Sequence, residues 1–206
     1  MQQINALHSG CILAGGKSVR MGTNKALLEL DGKTLLSIAV EKMSWFQELL
    51  ISAANPEDYS FTGIRIVPDE RPGIGPLGGI ISALKATDTD LICFRPVDAP
   101  LFPSELHRII TEACFGKDAA VPVFGGLPEP LFSCYSKTAL PALEKLAEEN
   151  TYKVAEAFPL LDVHYLDLES PQFTARFGDP GEYLINLNTL KAFSQIKQKN
   201  HNATNI

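Results

Sequence analysis

The chain has 206 residues, 45% hydrophobic and 20% charged, which is enough apolar content to build one domain of ordinary size. Lys and Arg total 18 against 24 Asp and Glu, and the net charge of −6 argues against nucleic acid or an anionic membrane as the main partner. The charge-free stretch 73–84 is too short for a bilayer span, which takes about 20 apolar residues. In chain order, residues 9–14 are short, apolar and stopped by Gly15-Gly16, which predicts a buried strand. Leu35, Ile38, Ala39, Met43 and Phe46 recur at helical spacing behind Thr34, a residue suited to an N-cap. Residues 49–53 and 64–67 follow as strands. Leu77, Ile80, Ile81 and Leu84 form a helical stripe behind Pro76, which suits a first helical turn. Residues 91–94 read as another buried strand, and Leu106, Ile109, Ile110 and Ala113 as a helix behind Pro103. Strands at 119–123 and 131–135, a helix over 138–148, a strand at 163–168 and a helix over 189–199 complete the pattern.

Strand followed by helix, repeated, predicts a single three-layer α/β/α domain with a mostly parallel mixed sheet covered on both faces. Its expected extent is 1–198, with 199–206 a polar, frayed tail. The first ten residues lack a charged segment leading into an apolar run, so no signal peptide is expected and a reducing cytoplasm is the expected setting. Cys11, Cys93, Cys114 and Cys134 show no CxxC spacing and read as small buried residues. The four histidines show no HExxH or paired spacing, which argues against zinc, and the absence of GxSxG argues against the simplest serine hydrolase.

The most informative segment is Leu13-Ala14-Gly15-Gly16-Lys17-Ser18-Val19-Arg20-Met21-Gly22-Thr23-Asn24-Lys25, directly after the first strand. Glycines let the backbone approach a phosphate chain and aim N–H groups at it, while Arg20 and Lys25 supply the matching positive charge. A Walker A loop does not fit, because five residues separate Gly10 from Gly16 where that pattern takes four. A P-loop kinase therefore stays a remote alternative. Gly73-Ile74-Gly75-Pro76-Leu77-Gly78 spells GxGxxG, yet residues 68–72 intervene between it and the preceding strand, so it is not a dinucleotide fingerprint. Asp98 ends an apolar strand inside the turn Pro96-Val97-Asp98-Ala99-Pro100, a rigid presentation suited to Mg²⁺, which takes oxygen ligands and few protein carboxylates. Glu144, Lys145, Glu148 and Glu149 read as a solvated helix face, and Phe124, Phe132, Tyr135 and Phe158 as core.

The glycine-rich segment is similar to the LAGG-x-S-x-RMG-x-x-K signature of the molybdenum cofactor guanylyltransferases, within the wider nucleotide-diphospho-sugar transferase-like fold. The resemblance runs down most of the chain. Ala53-Ala54-Asn55 stands where that family has Asn-Ala-Asn, and Asp69 with Gly75-Pro76-Leu77-Gly78-Gly79-Ile80 resembles its Asp…GPLAGI segment. Pro96-Val97-Asp98-Ala99-Pro100-Leu101, Glu129-Pro130-Leu131-Phe132-Ser133-Cys134-Tyr135 and Asn186-Leu187-Asn188-Thr189 resemble its P-C-D-M-P-F, Q/E-P-L…Y and N-I-N-T elements. The departures are Pro56 after Asn55, Val97 for Cys, Gly78 for Ala, and Leu190 for Pro.

The resemblance implies transfer of GMP from GTP to the phosphate of molybdopterin, with pyrophosphate released. It implies Arg20, Lys25 and Asp98 as catalytic groups, and Leu13, Ala14, Gly15, Gly16, Lys25, Asn55, Asp69, Gly78 and Asp98 around GTP. Asp98 would hold Mg²⁺ with Asn186 or Asn188 as a weaker second ligand, and Glu129, Tyr135, Asn186 and Asn188 would face the acceptor. Gly15 favours guanine, since related cytidylyl enzymes tend to carry Leu-Ala-Ala-Gly. Transient contact with cofactor-assembly or acceptor proteins is implied as well. The alternatives are a cytidylyltransferase or sugar-1-phosphate nucleotidyltransferase on the same scaffold, and a nucleotide-binding module without catalysis.

Overall fold

In the computed structural model, which describes residues 8–15 and 24–187, the first apolar run forms β1 (His8–Leu13) in the middle of the main sheet. A two-residue hairpin follows, β2 (Glu29–Leu30) and β3 (Lys33–Thr34), turned by Asp31 and Gly32 at φ 52° and 78°. Such a turn needs positive φ at both central residues, and its Asp-Gly pair supplies them. The Thr34 hydroxyl then accepts the Ser37 N–H at 3.1 Å and starts α1 (Leu35–Lys42), as the N-cap expectation has it. Next come β4 (Glu48–Ala53), a 3₁₀ segment (Pro56–Thr62), β5 (Arg65–Pro68) and α2 (Pro76–Ala86), whose proline sits in the first turn. The second half holds β6 (Leu91–Pro96), α3 (Ser104–Ala113), β7 (Ala119–Phe124), β8 (Leu127–Pro128), β9 (Cys134–Ser136), α4 (Leu140–Glu148), β10 (Val163–Asp167), α5 (Pro171–Phe177) and α6 (Pro180–Tyr183).

The sheet order is β10-β7-β9-β6-β1-β4-β5, with β8 folded antiparallel onto β7. β1 pairs in parallel with both β4 and β6, while β9 enters antiparallel between β6 and β7. Alternate residues of one strand face opposite layers. Ile12, Ile51 and Cys93 join Leu35, Ala39 and Met43 of α1 and Leu106 and Ile110 of α3. Cys11, Leu13, Leu50, Ile92 and Phe94 join Leu77, Ile80, Ile81 and Leu84 of α2 and Leu143 and Leu146 of α4. Helices on both faces explain why these strands read as unbroken apolar runs. The result is the single α/β domain that the alternation predicts. Among the described residues, no helix is long and apolar enough to cross a membrane.

One expected strand is shorter than its apolar run. Over residues 131–135 only the end enters the sheet, because Pro130–Phe132 forms a 3₁₀ turn in which the Phe132 N–H returns to Glu129 O at 3.1 Å. The expected helix 189–199 and tail 199–206 lie outside the described residues.

From β1 the chain crosses to β4 and β5 on one side and later returns to β6 on the other. In an open α/β sheet the strand order reverses at such a point, and ligands bind in the crevice beyond the carboxyl ends there. The residues emerging at that end are Ala14-Gly15 after β1, Ala54-Asn55 after β4, Asp69 after β5 and Val97-Asp98 after β6.

Candidate active site

Asp98 stands on a turn held from three directions. The Val97 N–H donates to Leu13 O at 3.1 Å, tying the turn to the end of β1, and the Leu187 N–H donates to Asp98 O at 2.8 Å. From below, the Arg95 guanidinium donates to Phe102 O at 3.3 Å and to Ala99 O. Arg95 is fully buried on β6, and burial lowers its pKa to about 9. With its backbone so occupied, the turn leaves the Asp98 carboxylate at the mouth of the crevice, 18% exposed. The Lys25 Nζ lies 3.6 Å from Asp98 Oδ2 and its side chain is 23% exposed, so a cation and an anion share one opening. Lys25 begins a three-residue 3₁₀ turn (Lys25–Leu27) capped by Asn24, whose Oδ1 accepts the Ala26 N–H at 3.1 Å.

On the other flank of β1, Ser52 donates its hydroxyl to Asp69 Oδ1 at 3.2 Å. Burial raises the Asp69 pKa above the usual carboxylate value, and the Ser52 bond works against that rise. A Cβ placed on Gly15 would lie 3.8 Å from Asp69 Oδ2, so the exposed Gly15 backbone and this carboxylate face each other across a narrow gap. Gly79 brings α2 in close: a Cβ there would overlap Ser52 Oγ and reach within 3.4 Å of Asp69 Oδ1. Beyond β8, the Glu129 N–H donates to Pro122 O at 2.8 Å, and burial raises the pKa of the half-buried Glu129 carboxyl.

A family model described as the MobA-like NTP transferase domain matches residues 10–160. The chain belongs to this family. Within it, the chain is 34% identical over 186 residues to the probable molybdenum cofactor guanylyltransferase of Carboxydothermus hydrogenoformans, covering 90% of this chain and 92% of the relative. It is 37% identical over 163 residues to the probable molybdenum cofactor guanylyltransferase of Pelotomaculum thermopropionicum, covering 79% and 80%. Among solved structures, molybdopterin-guanine dinucleotide biosynthesis protein A from Archaeoglobus fulgidus shares the fold at TM-score 0.80 and 22% identity, covering 94% of this chain and 99% of that one. As a MobA-like NTP transferase, the chain is a nucleotidyltransferase.

In this MobA-like domain, only some of the residues expected at the site come together. Gly15 with Asp69, and Lys25 with Asp98, meet as two pairs joined through the Leu13–Val97 bond, and the Leu187–Asp98 bond brings Asn186 beside the second pair. Asn55 is exposed at the start of the 3₁₀ segment, its amide unused as a cap, while Ala14 is half-buried. Leu13 points into the core and Gly78 is buried against Arg71 O and Ile74, so Gly79 rather than Gly78 touches the Asp69 wall. Tyr135 is not at the surface: it is 0% exposed, its hydroxyl donates to Pro130 O at 2.9 Å, and the expectation that it faces the acceptor gives way to its reading as core. Gly16, Arg20 and Asn188 lie outside the described residues. Sequence reasoning missed Asn24, Ser52, Tyr59, Gly79 and Arg95. Of these only Arg95, a lone cation in an apolar strand, carried a readable signal.

Proposed function

We propose that this chain transfers GMP from GTP to the phosphate of molybdopterin, releasing pyrophosphate and forming the guanine dinucleotide form of the molybdenum cofactor. The observation that carries the reading is Lys25 set 3.6 Å from Asp98 at the sheet's reversal point, in a chain whose relatives are named guanylyltransferases. In the step itself, an ionised oxygen of the acceptor phosphate forms a bond to the α-phosphorus of GTP. The bond from that phosphorus to the bridging oxygen breaks, and the electron pair leaves with pyrophosphate. The nucleophile is already an anion at neutral pH, so no general base is required. Lys25 stabilises the charge that builds on the departing phosphates, and the backbone N–H of Gly15 adds a donor beside it.

Asp98 and Asn186 offer oxygen atoms, the donor set that Mg²⁺ prefers, and one protein carboxylate is the usual number when phosphates supply the rest. These two residues would hold the ion, which when bound neutralises triphosphate oxygens. Gly15, lacking a Cβ, leaves room for a purine edge against the backbone. Asp69 accepts either from guanine N1–H and N2–H or from ribose hydroxyls. The reading carries with it a cytoplasmic setting and a transient handover to acceptor proteins.

Pyrophosphate release is measured with purified protein, Mg²⁺ and molybdopterin, in parallel with GTP, CTP and ATP. Release with GTP alone is expected. Release with CTP alone would overturn the base assignment and leave the reaction class, whereas tight GTP binding without release would make the chain a binding module.

A further inference from the structure

Tyr59 sits in the 3₁₀ segment between β4 and β5, its ring packed in the core at 3% exposure. Its hydroxyl lies 3.2 Å from Ala14 O and 3.1 Å from Asn24 Oδ1. Which way the Asn24 amide points follows from its other bond. The Ala26 N–H can only donate, so the atom facing it at 3.1 Å is the amide oxygen. Tyr59 therefore meets two acceptors, Asn24 Oδ1 and a backbone carbonyl, and must be the donor to both.

That single proton links two places far apart in sequence. Ala14 is fixed already, since its N–H donates to Ser52 O at 2.9 Å at the end of β1. Asn24 immediately precedes Lys25 and caps the three-residue turn that carries it. A 3₁₀ turn this short has poor hydrogen-bond geometry and little stability of its own, so its position depends on what holds its cap. Among the described residues, the Asn24 side chain is held by the Ala26 N–H, inside the turn, and by the Tyr59 hydroxyl, outside it.

We infer that Tyr59 is a positioning residue for Lys25: its hydroxyl, acting through Asn24, registers the lysine against the end of β1 so that the ammonium group stands over the nucleotide's phosphates. The inference rests on the proposed role of Lys25 at those phosphates. The aromatic ring does a separate job, filling the core, and phenylalanine would keep it. Removing the hydroxyl alone thus separates registration from packing.

Tyr59→Phe is compared with the unsubstituted protein by pyrophosphate release from GTP and by thermal melting. The expected result is a fall in kcat of about three- to tenfold, the worth of one hydrogen bond, with KM for GTP nearly unchanged and little loss of melting temperature. Asn24→Leu, which removes the acceptor, reproduces the loss, and Asn24→Asp, which keeps an oxygen there, loses less. In a Lys25→Ala background Tyr59→Phe costs nothing further, because both changes disable the same group. A kcat equal to that of the unsubstituted protein would overturn the inference, as would the same fold-loss with Lys25 already removed. A readout independent of turnover is the NMR signal of the reductively methylated Lys25 amine, which moves in Tyr59→Phe if the inference holds. An unmoved signal overturns it. Absence of pyrophosphate release from any nucleotide would instead sink the proposed function, with the amine signal still reporting on the positioning.

Discussion

Lys25 and Asp98 pair at 3.6 Å, yet the proposed roles separate them, the carboxylate to hold the metal ion and the ammonium to meet the departing phosphates. Replacing Asp98 by Ala is expected to abolish pyrophosphate release while thermal melting shows an intact fold, because the turn is held by its backbone and by Arg95 rather than by the carboxylate. Full activity in that variant would remove Asp98 from the mechanism. Lys25→Ala is expected to lower kcat by more than about tenfold, the scale of one charge contact made in the transition state. A change confined to KM would make Lys25 a binding residue only. For Gly15, a new methyl meets Asp69 and Ala54 at ordinary contact distances of 3.8 and 3.9 Å, so Gly15→Ala folds normally. Its expected effect is a rise in KM for GTP, measured against an unaltered melting temperature. These residues were legible in the sequence because glycine beside a strand end, or a charge among glycines, is an unusual local choice. Ser52, Asn24 and Tyr59 were not, since their partners lie 17 to 45 residues away along the chain except for Asn24's bond to Ala26.

Elements covered on both faces announce themselves by long apolar runs, which is why β1, β4, β6 and β7 were readable within a residue or two at most ends. The hairpin of β2 and β3, with two residues per strand, is too short to show a period, and the 3₁₀ segments have none. The strand expected over 131–135 lost its first half to Pro130, whose missing N–H and fixed φ favour a turn there. At this scale α2 approaches β1 and β4 closely at Gly79. Gly79→Ala drives a methyl into Ser52 Oγ and to 3.3 Å from Leu13 Cδ2, and is expected to cost about 1–3 kcal/mol of stability, as overpacking does. Adding Ser52→Ala removes the colliding oxygen and should restore part of the melting temperature. GTP binding should be weaker in that double variant than in the unsubstituted protein, because Asp69 has lost its hydroxyl partner.

Three basic side chains gather under the face covered by α1 and α3. Lys42 Nζ donates to Phe102 O at 3.0 Å, Arg95 donates to the same carbonyl, and His107 lies fully buried with Nδ1 3.2 Å from Pro103 O. That carbonyl can only accept, so the neutral ring carries its proton on Nδ1, and Nε2 has no partner among the described residues. Burial, then the charges of Arg95 and Lys42, hold the His107 pKa well below its ordinary value of 6.5. On acidification through 6.5 the unfolded chain therefore takes up a proton that the folded chain refuses, and stability falls by up to about 1.4 kcal/mol per pH unit. Asp69 and Glu129, whose pKa values burial raises, act with the opposite sign, since the folded chain holds their protons longer. His107→Asn, which keeps a donor near Pro103 O, isolates the histidine: between about pH 7 and about pH 5 its melting temperature should fall less steeply than that of the unsubstituted protein. Equal slopes would show that the buried ring does not govern acid stability.

The strands β5, β4, β1 and β6 all come from residues 8–96, one continuous stretch, while β9, β7 and β10 are made afterwards. The half of the sheet that would receive the nucleotide is therefore synthesised before the other half exists, although a single domain folds as a unit. The Asp98 turn is different. Its tie to the Leu187 N–H comes from the last of the described residues, so a ribosome product cut short before Leu187 would own every described strand of the sheet and still lack one of the three supports beneath its Asp98 carboxylate.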